Sequence, residues 1–394
     1  MLSQRVGRFT ESVIRGMTRE CMRYGGVNLA QGFPDFDGPE EIKEAARRAI
    51  TDGWNQYAIT WGSPNIRKAI ARKTARFNGF EPDPETEITV VCGATEGMIA
   101  TLMAILNPGE EVVIFEPFYE NYGPDTFLSG SVPRFVPLRP PDFTFDPEEL
   151  RGAVGPATKA VILNTPHNPT GHVFTRAELE SIRDLCVEFD IFAVTDEVYE
   201  HIVFDGRTHV SLASLDGMRE RTITINSLSK TYSVTGWRVG YVLAPKEVTD
   251  GVRKVHDFLT VGAPAPLQEA AAAALSLPDA YYADLAAMYQ AKRELLQGYL
   301  QRAEIPFIEP QGAYYIMADV SGFGASDDVD FAMRLVRKHG VATVPGSSFY
   351  HSPGMGGKGK GGRDFIRFTF SKKDETLHDA GERLLGMVRN SGLE

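Results

Sequence analysis

An α/β fold, with a mostly parallel sheet and a smaller α+β region beside it, is what three observations in this sequence predict. Short β-branched runs alternate with helix-period stretches through the middle of the chain. The runs are apolar almost throughout, as strands covered on both faces must be. The unusual polar residues sit just after those runs, where open α/β sheets bind ligands.

The elements follow in order. A strand at ITVVC (88–92) leads into a helix with Met98, Ile99, Leu102, Met103 and Leu106 on one face, stopped by Asn107-Pro108-Gly109. EVVIFE (111–116) is the next strand. Asp146-Pro147 opens a helix as N-cap and first helical residue. AVILN (160–164) precedes a helix whose start is marked by Thr175 and Glu178 at capping-box spacing, with Leu179, Ile182, Leu185, Cys186 and Phe189 at helical period. IFAVTD (191–196), TITIN (222–226) and VGYVLA (239–244) complete the strands. A long helical pattern begins near Pro278, and GAYYIMADV, FAMRLVRKHG, VATVPG and FIRFTF follow as a mixed region. We therefore expect residues 41–284 to form a large domain, and 1–40 with 285–394 a second one. GMGGKGKGGRD (354–364) reads as a solvated loop, with a binding lid as the alternative.

Composition narrows the function. The 394 residues carry 41 Lys+Arg against 52 Asp+Glu, a net charge of −11. That sign disfavours nucleic acid or an anionic membrane as partner. No run of apolar residues is long enough to span a bilayer, and the N-terminus lacks the apolar stretch of a signal peptide. Three scattered cysteines, with no C-x-x-C pair, argue against a disulfide framework or a cysteine zinc site. A cytoplasmic protein is the expectation.

Four segments carry the chemistry. In SLSKTYSVTGWRVGY (227–241), Lys230 follows a buried strand, and burial or a neighbouring cation such as Arg238 eases the loss of its proton. NTPHNPTG (164–171) is a turn that presents the Asn168 amide. TDEVYE (195–200) ends a strand with Asp196, a carboxylate that needs a cation or donors there, and Tyr199 lies three residues on. CGATEGM (92–98) feeds a helix N-terminus, where free N–H groups suit an anion. Together these supply an amine nucleophile, a buried acid, neutral donors and an anion cradle, the set a pyridoxal phosphate site requires.

With these motifs in their order along the chain (GAT, NPTG, DEVY, SLSK and RFTFS), the sequence resembles the class I/II aminotransferases, pyridoxal-phosphate enzymes of fold type I. The resemblance spans essentially the whole chain and implies a seven-stranded, mostly parallel sheet. It implies that Lys230 is the Schiff-base lysine and general acid/base, and that Asp196 is the pyridinium partner. Asn168 and Tyr199 would bond the phenolate oxygen. Gly93, Ala94, Thr95, Ser227 and Arg238 would cradle the phosphate. Tyr119 matches the aromatic that stacks on the ring. Tyr57, in NQYAITWG, matches a tyrosine that reaches the neighbouring subunit's phosphate, which implies a homodimer with shared sites. Arg367 would grip the substrate α-carboxylate, helped by the backbone at Gly32 and by Asn168.

Within the family, LAQGFPDF, NQYAITWG and NTPHNPTGHVFTRAELE look like the kynurenine aminotransferase/glutamine transaminase K branch, whereas VGAPAPLQEA (261–270) is more like bacterial and archaeal broad-specificity enzymes. Thr95 stands where some aspartate-preferring relatives carry lysine. The resemblance thus implies an amino donor that is neutral, Met-like or aromatic, a 2-oxo acid acceptor with 2-oxoglutarate as the default, and ping-pong kinetics. A C–S β-lyase on the same scaffold and an aspartate-type aminotransferase are the alternatives.

Overall fold

In the computed structural model, which describes residues 3–351 and 361–391, the apolar runs pair as strands. They are β1 (Val27–Asn28), β2 (Ile88–Val91), β3 (Glu111–Glu116), β4 (Val132–Pro137), β5 (Thr158–Asn164), β6 (Phe192–Asp196), β7 (Thr222–Ser227) and β8 (Gly240–Leu243). Shorter strands follow as β9 (Phe307–Ile308), β10 (Tyr315–Asp319), β11 (Val341–Ala342), β12 (Val344–Pro345) and β13 (Phe365–Thr369). Seven of them form one sheet in the order β2-β8-β7-β6-β5-β3-β4, in which β8 runs antiparallel to both neighbours and the other pairings are parallel. β4 is absent from the sequence reading because VPRFVP carries two prolines. Each removes a ladder donor, which an edge position tolerates, and β4 is at the edge.

Register brings the site together. Asn164, the last residue of β5, lies opposite Asp196, the last of β6, and Asp196 lies opposite Ile225 of β7. Three parallel strands therefore end side by side, and their terminal residues face the crevice beyond the sheet. The Thr175–Glu178 capping box forms as its spacing predicts, and Asp146 caps the helix Pro147–Gly152 through the Glu148 N–H.

A second sheet, β12-β13-β10-β9, is antiparallel and places Arg367 of β13 between Met317 and Val344. One apolar cluster gathers Ile14, Met17 and Leu29 from the N-terminal segment with Leu285, Tyr289 and Leu296 of the helix Asp279–Arg302, and with Ile366 and Phe368 of β13. Residues 354–360 of the glycine- and lysine-rich stretch lie outside the described residues; 361–364 form a turn before β13. Among the described residues, no helix is long and apolar enough to cross a membrane.

Candidate active site

Lys230 stands in a short helix (Leu228–Thr231) directly after β7, so the sheet fixes where its stem begins. Its Nζ donates to the Gly32 carbonyl at 3.1 Å and lies 5.8 and 5.7 Å from the Tyr199 and Tyr314 rings. Burial pushes its pKa down to about 8. The Asp196 carboxylate opposes that shift, and the Arg367 and Arg238 guanidinium groups add to it. A usable fraction of free amine is therefore present near neutrality.

Asp196 is buried at the end of β6. Its Oδ2 accepts the Tyr122 hydroxyl at 2.8 Å, and its Oδ1 accepts the Val198 N–H at 3.4 Å. Desolvation raises its pKa to about 6, while the bonds from Tyr122 and Val198 and the Lys230 charge pull it back. Tyr122 is absent from the sequence reading. The available signal was its place three residues after Tyr119 in EPFYENY, a spacing that puts both rings at one helix start.

Asn168 is held from both sides. Its N–H donates to Asn164 Oδ1 at 2.7 Å, and its own Oδ1 accepts Arg367 Nη1 at 2.6 Å. Asn164 in turn donates to the Asp196 carbonyl at 2.8 Å, so the NTP turn and the DEVY turn are locked together. The Tyr199 hydroxyl meets that of Tyr315 at 3.0 Å.

Arg367 is 1% exposed, yet no carboxylate pairs with it among the described residues. Nη1 and Nη2 bond Asn168 and the Ala30 carbonyl (2.8 Å), Nε has no partner, and the plane lies 4.0 Å from the Tyr315 ring and 4.7 Å from that of Phe349. A buried guanidinium with an unused donor suits a planar ligand carboxylate. Gly32 is required beside it, because a Cβ there would stand 2.0 Å from the Tyr315 hydroxyl.

The anion cradle forms at the helix Ala94–Ile105. Gly93 caps it at φ +82, a conformation that favours glycine, and an added Cβ would meet Arg238 Nη2 at 2.3 Å. Gly240 lets β8 approach: a Cβ there would lie 2.8 Å from the Gly93 backbone and 2.9 Å from the Ala94 nitrogen. Arg238 itself bonds backbone carbonyls, Thr235 at 3.0 Å and Cys92 at 3.4 Å, and pairs with no carboxylate among the described residues.

Ala94, Thr95, Tyr119, Asn168, Asp196, Tyr199, Ser227, Lys230 and Arg238 line one cavity of about 100 Å³. It continues into a cleft of about 780 Å³ that reaches Gly32 and Arg367. Tyr57 lies apart, 86% exposed. The cavity suits pyridoxal phosphate on its own chemistry. It offers an amine for the aldehyde, a buried acid for the ring nitrogen, and a carboxylate-free guanidinium at a helix N-terminus for the phosphate.

Comparison with known proteins agrees. The family model described as aminotransferase class I and II matches residues 24–384. The chain is 41% identical over 389 residues to a probable N-succinyldiaminopimelate aminotransferase of Mycobacterium tuberculosis, covering 98% of each. It is 38% identical over 373 residues to the methionine aminotransferase of Escherichia coli, covering 95% of each. It is 36% identical over 389 residues to human kynurenine–oxoglutarate transaminase 1, covering 91% of each. The three-dimensional structure of N-succinyldiaminopimelate aminotransferase from Mycobacterium tuberculosis superposes with a TM-score of 0.94 at 40% identity, covering 98% of this chain and 100% of that one. With the strand order, the lysine after β7 and the carboxylate after β6 already in place, these matches establish that the chain belongs to the class I and II aminotransferases, pyridoxal-phosphate enzymes of fold type I.

Proposed function

We propose that the enzyme moves the amino group of a neutral, Met-like or aromatic L-amino acid to a 2-oxo acid, 2-oxoglutarate being the default acceptor, with both substrates using one site in turn. The observation that carries this reading is Arg367, a buried guanidinium without a carboxylate partner at the end of the cleft that holds Lys230. It binds the α-carboxylate that donor and acceptor share, with Asn168 and the backbone at Gly32 beside it.

The bound cofactor supplies an aldehyde for the amino group and a ring that takes up electron density from the substrate Cα. The chain's own residues do the rest. Lys230 Nζ, uncharged in part near neutrality, would take the proton from the substrate Cα and deliver it to the former aldehyde carbon of the cofactor, and the second half-reaction would run the same transfer backwards. Asp196 would keep a proton on the ring nitrogen. Asn168 and Tyr199 would bond the phenolate oxygen, and Tyr119 would cover the ring face. The N–H groups of Ala94 and Thr95, exposed by the turn at Gly93 whose own N–H bonds the Val91 carbonyl, would hold the phosphate with Ser227 and Arg238.

The neutral-donor preference is supported by the aromatic residues Phe9, Phe33, Tyr119 and Tyr315 among those that line the cleft, where Glu11, Arg15, Glu120 and Asp125 line it as well. Two relatives are named for methionine and kynurenine. A homodimer with shared sites belongs to the same proposal. Tyr57 and Phe258, 86% and 92% exposed, are large apolar residues that a second subunit would cover. So does the division into 41–284 and 1–40 with 285–394, supported by the apolar cluster that joins the two chain ends. Three cysteines without disulfides fit a cytoplasmic setting.

The test is a screen of the other nineteen amino acids against 2-oxoglutarate, reading glutamate, with donor glutamate run against a different 2-oxo acid and read as 2-oxoglutarate. Methionine and aromatic donors are expected to react fastest. Turnover confined to aspartate and glutamate would refute the donor assignment.

A further inference from the structure

Glu96 and His256 stand outside the residues assigned so far, and they join two parts of the site that are distant in sequence. Glu96 lies in the first turn of the helix Ala94–Ile105, directly behind the N–H groups that face the cavity. Its buried carboxylate accepts the Cys92 N–H at 3.0 Å and meets His256 Nδ1 at 3.0 and 3.1 Å. On the far side of the ring, His256 Nε2 faces the Thr60 carbonyl oxygen at 2.9 Å. The imidazole is fully buried between them.

A carboxylate and a carbonyl oxygen only accept hydrogen bonds. Both ring nitrogens must therefore carry hydrogens, and the arrangement calls for an imidazolium. The rest of the surroundings agree. Glu96 is the one ionisable residue of its helix, β2 has none, and residues 57–62 contribute Tyr57 alone, which faces solvent. On the histidine's own helix, Lys246–Thr260, Asp257 adds negative charge and the Thr260 hydroxyl lies 3.2 Å from Nδ1. Arg253, one turn earlier, is turned away onto the Trp61 ring and the Glu85 and Ile88 carbonyls. Burial pushes the imidazole's pKa down, but the Glu96 bond and charge, the Thr60 carbonyl and Asp257 outweigh it, and the net shift is upward.

We propose that His256 is a positioning residue for the phosphate end of the cofactor: it neutralises Glu96 behind the helix N-terminus and ties down the loop that carries Tyr57. The proposal rests on the reading of that N-terminus as the phosphate cradle. Without the imidazolium, an uncompensated buried carboxylate stands in the helix turn that must attract a phosphate dianion. The Thr60 carbonyl, three residues from Tyr57, is also released. Pyridoxal, which has the same aldehyde and ring but no phosphate, is indifferent to both effects.

The experiment compares the affinity of pyridoxal phosphate with that of pyridoxal, by absorbance titration, in wild type, His256→Gln, Glu96→Gln and the double variant. His256→Gln is expected to weaken pyridoxal phosphate about tenfold, in the range of measured pair couplings, with pyridoxal little changed. Adding Glu96→Gln is expected to recover about threefold, because the unpaired charge is gone. In wild type, from about pH 7 upward, where the phosphate (second pKa about 6) stays dianionic, the affinity ratio of the two vitamers is expected to fall. A group with a raised folded pKa makes its contribution at low pH and loses it as pH rises. The double variant should show no such fall. Equal losses for the two vitamers, a double variant no tighter than His256→Gln, or a pH-independent wild-type ratio would each overturn the proposal. The wild-type titration decides if the variants do not fold. Failure of wild type to bind either vitamer would instead refute the cofactor site itself.

Discussion

Lys230 and Asp196 show how one buried crevice moves two pKa values toward each other, the amine down to about 8 and the acid up to about 6. Their neighbours decide the working pH range. Lys230→Ala should lose at least 10²–10⁴-fold in kcat, the usual size of a positioned base, and still bind pyridoxal phosphate through the phosphate cradle. Single-turnover kinetics with an added amine, and a cofactor titration, check the two halves. Tyr122→Phe removes the side-chain donor that opposes burial at Asp196, so the carboxyl titrates higher. Cofactor affinity should then fall off at a pH about one unit above the wild-type midpoint, as expected for a lost charge-assisted bond of ~1.5 kcal/mol. Arg367→Lys keeps the charge but loses the fork. KM for donor and acceptor should rise together by about tenfold or more, with the cofactor spectrum unchanged. Lys230, Asp196 and Asn168 were legible because each sits in a short motif at a strand end or turn, and Arg367 because the segment RFTFS carries it inside β13. Tyr122 was not, since its contact with Asp196 spans 74 positions and depends on how a helix folds back over the sheet.

The elements that carry these residues are braced from behind. Lys73, in the helix Pro64–Phe77, forms a buried ion pair with Glu200, just past Tyr199. Glu200 also accepts from Asn78 (2.8 Å) and from Asn226 of β7 (2.7 Å), so one carboxylate ties a helix, the DEVY turn and the strand before Lys230. Burial pushes the Glu200 pKa up, but Lys73, His201, His209 and Asn78 outweigh it and hold it at about 2. Because the folded value is depressed, this stabilisation is fully present above the ordinary value of 4.5 and is lost as pH falls toward 2. Glu200→Gln leaves a buried ammonium unpaired and should cost about 3–5 kcal/mol, read as a lower denaturation midpoint at neutral pH. At this scale the strands with continuous apolar runs and the helices with caps were readable. β4 was hidden by its prolines, and the reversed direction of β8 leaves no mark in local sequence.

For the whole molecule, sequence order alone predicted a sheet whose strand ends share one crevice, and the register of β5, β6 and β7 meets that expectation. What local patterns could not supply is which apolar residues remain on the surface. Trp54, Tyr57, Ile59, Phe258, Leu259 and Val261 do so, on two segments that His256 holds together. If a second subunit covers them, Phe258→Glu should yield monomers in sedimentation velocity and lower cofactor affinity, since each site would lose its neighbour's Tyr57. A dimer unaffected by that change would place the subunit contact elsewhere.

Covalent attachment of the vitamer at one amine is the central step, and borohydride reduction followed by peptide mapping measures it directly. We predict a yellow protein that fixes one pyridoxyl group per chain on the peptide containing Lys230, and none in Lys230→Ala. A protein that stays colourless with pyridoxal phosphate, or a label on any other lysine, would contradict it.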